Sequence, residues 1–400
     1  MTIRRIFVHD YGGHAFAIQL SRALARRGHE VRHAYSNALV APRGVSGRRA
    51  DDPAGFSICP IGADAAIQKT RYFRRYLREL QYGIWLAAAI GEFAPDVVLS
   101  ANTPLEAQGR ALAATRAAGA RFILWWQDIM SVSFERMLKA RLGVPGMLVA
   151  RRFTHLERKL LAGSDRIVAI SPDFLDTLDA WGVTRGKAEV IENWASTAEL
   201  PVRPKANAWS IAHGLAEKFC FLYSGTLGVA HDPELLLRLA QRYASDPDVV
   251  VVVVSEGVRA RALERRRIEL RLERLLVLPF QPQELMADVM GSADVLVALL
   301  DERAATSSVP SKVMSYLCAG RPLLLAVPGG NLTARIVRTV DAGMQVSPGN
   351  VDGFLDCADQ LRTSAQLRAT LAGNGLRHAC ETFDIERIAD RFEAAIASVA

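Results

Sequence analysis

Short apolar runs alternate with helical patterns along this 400-residue chain, and the alternation starts over once. Ile3 to His9 reads as a strand buried on both faces. Gly12-Gly13 then permits a tight turn into a helix with Phe16, Leu20, Ala23 and Leu24 on one face. Gly28-His29 closes that helix, and Glu30 to Tyr35 reads as a second strand. Further strands are expected at Asp96–Ser100, Phe122–Trp126 and Arg166–Ile170, with helical patterns between them. Asn193 to Ala208, holding Pro201 and Pro204, breaks the pattern. It resumes with Phe219–Tyr223, Val249–Val254, Leu275–Leu278, Ala293–Leu299 and Leu323–Val327. Strands alternating with helices specify βαβ units and parallel sheets. The expected architecture is α/β: two Rossmann-like, doubly wound parallel-sheet domains facing a cleft, where the carboxyl ends of strands bind ligands. The first domain is expected over residues 1–195, a linker over 196–208, the second domain over 209–380 and a closing tail over 381–400. The tail holds Ile385, Ile388, Phe392 and Ile396 at helical spacing.

The net charge of +7 and isoelectric point near 9.3 suit an anionic partner: a nucleotide sugar, a lipid surface or nucleic acid. A merely basic enzyme has the same balance. No nucleic-acid-binding module is recognisable, so nucleic acid is not expected. Five cysteines without a CxxC argue against a disulfide framework or a zinc site and fit a reducing cytosol. The start, Met1 to Val8, lacks a long apolar core, so no signal peptide is expected. No apolar run reaches the roughly 18 residues of a membrane-spanning helix.

The most informative local stretch is Val309 to Pro322. It follows an apolar strand across a polar loop. Pro310 suits the first turn of a helix. Ser311 and Lys312 then stand where free amides and the positive helix end attract an anion, and Lys312 adds a point charge for a phosphate. Gly320 ends the helix, and Arg321-Pro322 forbids its continuation. The run PSKVMSYLCAGRPLLLA resembles the "PSK…Y…AAGRP" segment of GT-B glycosyltransferases of the large retaining family four. Trp125 to Ile129, Val190 to Trp194, Leu222 to Gly228 and Val254 to Gly257 follow the same order at similar spacing. Together they resemble the colanic-acid or O-antigen branch of that family, over nearly the whole chain. The resemblance implies a GT-B fold whose tail helix crosses back onto the first domain.

On the donor side, Ser224-Gly225-Thr226 follows a strand, and its glycine lets backbone amides approach a diphosphate; a plain strand–helix turn has the same look. Relatives often carry Arg and Lys in this loop, whereas this chain has Thr226 and, later, His231, which shifts weight to Lys312 and backbone amides; His231 would substitute as a donor or simply neighbour the helix start at Asp232-Pro233. The family's glutamate pair is also absent: Ser307 and Ser315 occupy those places, leaving Ser315 a weak hydroxyl partner for ribose. Glu256-Gly257 ends an apolar strand near the implied nucleotide, and Phe280 would frame the base or join the core. On the acceptor side, Gly12-Gly13-His14 opens a helix whose amides would meet the transferred sugar's phosphate or hydroxyls; His14 would donate a hydrogen bond or stand as an ordinary cap neighbour. Asp128 ends a strand and would position or deprotonate an acceptor hydroxyl; Gln127 stands where relatives frequently have histidine. No Asp-x-Asp near a strand end demands a metal, so neither a metal nor another cofactor is expected.

Arg71, Arg74, Arg75 and Arg78 recur at helical spacing, and Phe73, Tyr76, Leu77 and Leu80 recur offset by two residues, about 200° around the helix. A basic face opposite an apolar one suits an anionic membrane surface or an ordinary surface helix. A second basic-apolar zone runs from Phe134 to Arg152. The reading is a glycosyltransferase that moves a sugar from a nucleotide diphosphate sugar to a lipid-linked or saccharide acceptor at the cytoplasmic membrane face, with the retention implied by the resemblance. The rivals are a GT-B sugar-nucleotide epimerase and a non-enzymatic nucleotide-binding protein.

Overall fold

A computed structural model of the chain describes residues 2–38, 47–62, 72–228, 231–302 and 309–399. The chain packs as two compact units, Met1–Asn193 with Ile385–Ala400, and Trp194–Asp384.

The first unit is built on a parallel sheet of β1 (Arg5–Asp10), β2 (Glu30–Ser36), β3 (Phe56–Ile61), β4 (Val97–Ala101), β5 (Arg121–Trp126), β6 (Arg166–Ala169) and β7 (Ala188–Val190). Their order is β3-β2-β1-β4-β5-β6-β7. The central strands are buried on both faces, which is why they read as continuous runs such as Ile6-Phe7-Val8 and Val97-Val98-Leu99. The tail helix Ile385–Ala397 packs on the helix Ala15–Arg26. Its Phe392 meets Trp125 edge-on with ring centroids 4.8 Å apart, and Trp125 meets Phe16 likewise at 5.2 Å. Around this aromatic column Arg27 pairs with Glu386, Asp390 and Glu393, and His29 with Glu393.

The second unit holds a parallel sheet of β8 (Phe219–Ser224), β9 (Val249–Val254), β10 (Leu275–Leu278), β11 (Val295–Leu299), β12 (Leu323–Ala326) and β13 (Gly343–Val346), in the order β10-β9-β8-β11-β12-β13. The stretch 196–208, expected as a linker, is tied into this unit. Lys205 pairs with Asp294, and Asn207 caps the short helix Ala208–Ala212 through a reciprocal capping box with Ser210. The boundary between units therefore falls at Asn193 and Trp194.

Three strands go beyond those expected from the sequence: β3, β7 and β13. All are sheet edges, and most of their residues are only partly buried, so their patterns carry no continuous apolar run. Each sheet reverses its strand order once, between β1 and β4 and between β8 and β11. Such reversals open a crevice at the carboxyl ends of the strands.

Phe392 is fully buried against Trp125. Phe392→Ala is expected to lower the stability of the first unit by about 3–5 kcal/mol, read as an earlier transition in denaturant. An unchanged transition would show that the tail is not part of that core.

Candidate functional site

At the first reversal, β1 ends on Asp10, which has no exposed surface. Its carboxylate accepts hydrogen bonds from the His14 backbone amide, from His14 Nδ1 at 2.9 Å and from Asn102 Nδ2 at 2.9 Å. Asn102 follows β4 in the left-handed region, φ 50°. Gly13, at φ 69°, turns the chain back so that its amide donates to the Asp10 carbonyl. A Cβ on Gly12 would stand 2.1 Å from the His14 ring, so only glycine lets the imidazole fold onto this turn. Burial alone would raise Asp10, but the His14 charge and the hydrogen bonds from His14 and Asn102 hold its carboxyl at about 2. Burial opposes the charge on His14, yet Asp10 and, beyond it, Asp128 raise its pKa. The His14 side chain stays about 40% exposed.

Asp128 follows β5, partly exposed, and lines a cavity with Asn102, Thr103 and Trp126. Gln127 borders the same space but is buried, and its amide is taken up by hydrogen bonds exchanged with Asn193 at 2.6 and 3.1 Å. It tethers the end of β5 to the last residue of this stretch of the unit. Glu157, also buried, accepts from Trp126 Nε1 and from the amides of Met130 and Ser131, and so caps the helix Met130–Leu142.

At the second reversal, β8 ends on Ser224. Tyr316 grips its backbone twice: the phenol accepts from the Ser224 amide at 2.8 Å and donates to the Ser224 carbonyl at 3.0 Å. Gly225 follows at φ 133°, its amide donating to the Val254 carbonyl, and the Leu227 amide donates to Ser255 Oγ. The turn is thus fixed from β9 and from the helix Lys312–Cys318. Lys312 Nζ donates to the Tyr223 hydroxyl and lies 3.9 Å from the centre of that ring. The Tyr223 hydroxyl in turn donates a hydrogen bond to the Thr226 carbonyl at 3.0 Å. A Cβ on Gly225 would stand 3.3 Å from Lys312 Nζ, so the ammonium lies directly against the turn. No carboxylate pairs with it among the described residues, and burial pulls its pKa down to about 7. His231 is held lower still, at about 3, by burial and then by the Lys312 charge, so its imidazole is neutral.

Pro310 is buried two residues before this helix and so lies outside its first turn; Ser311 is its exposed N-cap and makes no side-chain cap. The helix has 7 residues, so the Lys312 side chain matters more here than a helix dipole. Ser315 lies on it, partly exposed. Glu256 is engaged as a loop tie, accepting from the Phe280 amide at 3.1 Å, and Gly257, at φ 110°, opens the helix Val258–Glu269. Ser307 lies outside the described residues. The structure thus gathers Gly12, Gly13, His14 and Asp128 in one unit, and Ser224, Gly225, Thr226, His231 and Lys312 in the other.

Arg71 and the side chain of Arg74 lie outside the described residues. The helix Tyr72–Phe93 pairs Arg75 with Glu79 and exposes Arg78. Its apolar face is not all buried: Leu77 is 48% exposed. The second basic-apolar zone forms the helices Met130–Leu142 and Val144–Gly163, joined at Gly143, with Leu142, Val144, Leu148 and Val149 exposed. Arg152 reaches the Tyr76 hydroxyl at 3.5 Å, which joins the two zones into one surface. Among the described residues no helix is long and apolar enough to cross a membrane, and no group of three or more His, Cys, Asp or Glu could hold a metal ion.

Residues 12–194 match the family described as the glycosyl transferase 4-like domain. No curated protein matches the sequence. Among solved structures, HepE from Anabaena in complex with UDP-glucose is similar with a TM-score of 0.71 at 16% identity, covering 99% of this chain and 100% of that one. Sucrose-phosphate synthase from Thermosynechococcus elongatus gives 0.71 at 16%, covering 98% of each chain. WaaG, a glycosyltransferase involved in lipopolysaccharide biosynthesis, gives 0.66 at 15%, again covering 98% of each. At such identities the likeness shows the fold: two doubly wound α/β units of the GT-B kind.

The raised pKa of His14 depends on Asp10. Asp10→Asn removes the negative charge but keeps a hydrogen-bond acceptor, so the His14 titration midpoint is expected to fall. Ring-proton NMR, assigned with a His14→Gln variant, checks this. A midpoint that stays put would mean that Asp10 does not set the charge of His14.

Proposed function

We propose that this chain, whose first unit carries a glycosyl transferase 4-like domain, is a glycosyltransferase. It moves a sugar from a nucleotide diphosphate sugar to a lipid-linked or saccharide acceptor in cell-surface polysaccharide synthesis. One observation carries the donor half. The Lys312 ammonium lies against the Gly225 turn with a phenol and an aromatic ring for partners and no carboxylate among the described residues. A diphosphate supplies the missing charge, and the turn brings backbone close enough to hold it.

Transfer runs with retention. The acceptor hydroxyl attacks the anomeric carbon on the face from which the diphosphate leaves. Its proton passes to an oxygen of the departing phosphate, and Lys312 stabilises the charge that develops there. Protein donors do this without a metal. In the first unit, Asp128 accepts from the acceptor hydroxyl, while His14, whose pKa is raised by Asp10, donates to it or to the sugar.

The acceptor is met at the cytoplasmic face of the membrane, to which the first unit binds peripherally. The support is the joined surface of exposed Leu77, Leu142, Val144, Leu148 and Val149, set among Arg78, Lys139, Arg151 and Arg152.

Calorimetry with a panel of nucleotide sugars tests the donor half, UDP-sugars first because HepE from Anabaena is solved with UDP-glucose. Lys312→Ala is expected to weaken binding by about 1.5–3 kcal/mol. The diphosphate of a nucleotide sugar does not titrate near neutrality, whereas Lys312 does, at about 7. The anion binds the protonated ammonium and raises its pKa, so binding takes up a proton, and affinity falls as pH rises above 7. Heats that do not depend on the buffer's ionisation enthalpy would remove Lys312 from the site.

For the membrane half, Leu148→Ser with Val149→Ser spares the core, since both side chains are exposed. Co-sedimentation with anionic vesicles is expected to drop several-fold, with nucleotide affinity unchanged. Equal pelleting of variant and wild type would assign this surface to another use.

A further inference from the structure

We infer that Arg259 is a diphosphate-binding residue of the second unit, supplying beside Lys312 the guanidinium that completes the anion site. The inference rests on the donor reading above but on different atoms. Arg259 stands in the first turn of the helix Val258–Glu269, just after Gly257. Its Nη1 donates to the His231 carbonyl at 3.0 Å. That bond crosses from the segment after β9 to the segment after β8, and holds the guanidinium beside the Ser224–Gly228 turn.

His231 supplies the second observation. Burial keeps its imidazole neutral, and the charges of Lys312 and Arg259 both add to that effect, so it feels two cations at once. Its Nδ1 is buried without a hydrogen-bond partner, 3.6 Å from where a Cβ of Gly228 would stand. Two cations and one unsatisfied imidazole nitrogen thus share the rim of one glycine turn.

Neither cation pairs with a carboxylate among the described residues. Further along the same helix Arg267 pairs with Glu264 and Arg266 with Glu269, while Arg261 and Arg265 are exposed to water; Arg259 is half-buried. A cation left without a counter-ion at a partly buried site costs free energy in the folded state. A ligand with two adjacent negative groups offsets that cost. A diphosphate offers one charge on each phosphate, matched by a compact ammonium and a forked guanidinium. The loop after β8 lacks an arginine of its own; the next βα unit delivers one from the side.

The test is calorimetry on the full chain with inorganic pyrophosphate, with nucleotide sugars and with nucleosides, which lack phosphate. Arg259→Gln is expected to weaken pyrophosphate and nucleotide-sugar binding at least tenfold and to leave nucleoside binding unchanged. Arg261→Gln, exposed on the same helix, is expected to change neither. Arg259→Lys keeps the charge without the fork and is expected to recover part of the loss. The inference falls if wild type binds no pyrophosphate, if Arg259→Gln binds it as wild type does, if nucleosides weaken to the same degree, or if Arg259→Lys recovers nothing. Pyrophosphate binding that needs Arg259, with no nucleotide sugar bound, would overturn the glycosyltransferase reading and leave the anion site standing. Nucleotide-sugar binding indifferent to Arg259 would do the reverse.

Discussion

The strand order of each sheet reverses once, and the rest of the chemistry follows from what stands at those two points. Helices leaving neighbouring strands there run to opposite faces, so the carboxyl ends of β1 and β4, and of β8 and β11, are left uncovered. In the first unit the reversal holds a buried carboxylate, Asp10; in the second it holds an inward ammonium, Lys312. Burying either charge is costly unless it is answered. The two are answered differently. Asp10 receives three hydrogen bonds and a neighbouring positive charge, so it is stable as an anion without any ligand. Lys312 receives a phenol oxygen and a ring face, and burial depresses its pKa. One reversal is a finished device for holding a histidine, and the other leaves its ammonium without a counter-ion among the described residues.

The second device persists because its surroundings over-determine it. Tyr316 closes a two-bond grip on Ser224, Ser255 holds Leu227, and Gly225 takes a conformation that other residues rarely adopt. The turn cannot relax away from Lys312, since the lysine and Tyr316 lie on the same short helix. The turn is anchored on the apolar sheet behind it, where all six valines of β9 are buried.

Central strands were legible in the sequence because burial on both faces makes them continuous apolar runs. The edges β3, β7 and β13 were not, because half-exposed strands need no such run. Prolines at 201 and 204 read as a linker, but proline marks only irregular backbone, and irregular backbone can be packed, as Lys205 and Asn207 show. Within the sites, Gly12, His14, Gly225 and Lys312 were legible because their signal is local. The groups that hold them were not. Asn102 finds Asp10, Tyr316 finds Ser224 and Asn193 finds Gln127 only after the sheet is assembled. The amphipathic reading of the helix Tyr72–Phe93 was incomplete for a related reason: periodicity defines an apolar face but not whether anything covers it, and Leu77 is left bare.

The depressed pKa of Lys312 sets stability and ligand binding against each other. An unfolded lysine titrates near 10.5 and this one near 7, so between those values the unfolded chain binds more protons than the folded one. The stability of the second unit therefore rises with pH across that range, as the burial cost of the ammonium disappears. The proposed diphosphate binding needs the same ammonium charged, so its affinity would decline over the range in which the empty fold is relieved. A buried lysine kept only for packing would favour replacement by an apolar residue of similar length, which removes that cost at every pH. The unanswered charge at Lys312 makes sense for a fold that is regularly met by an anion near neutral pH.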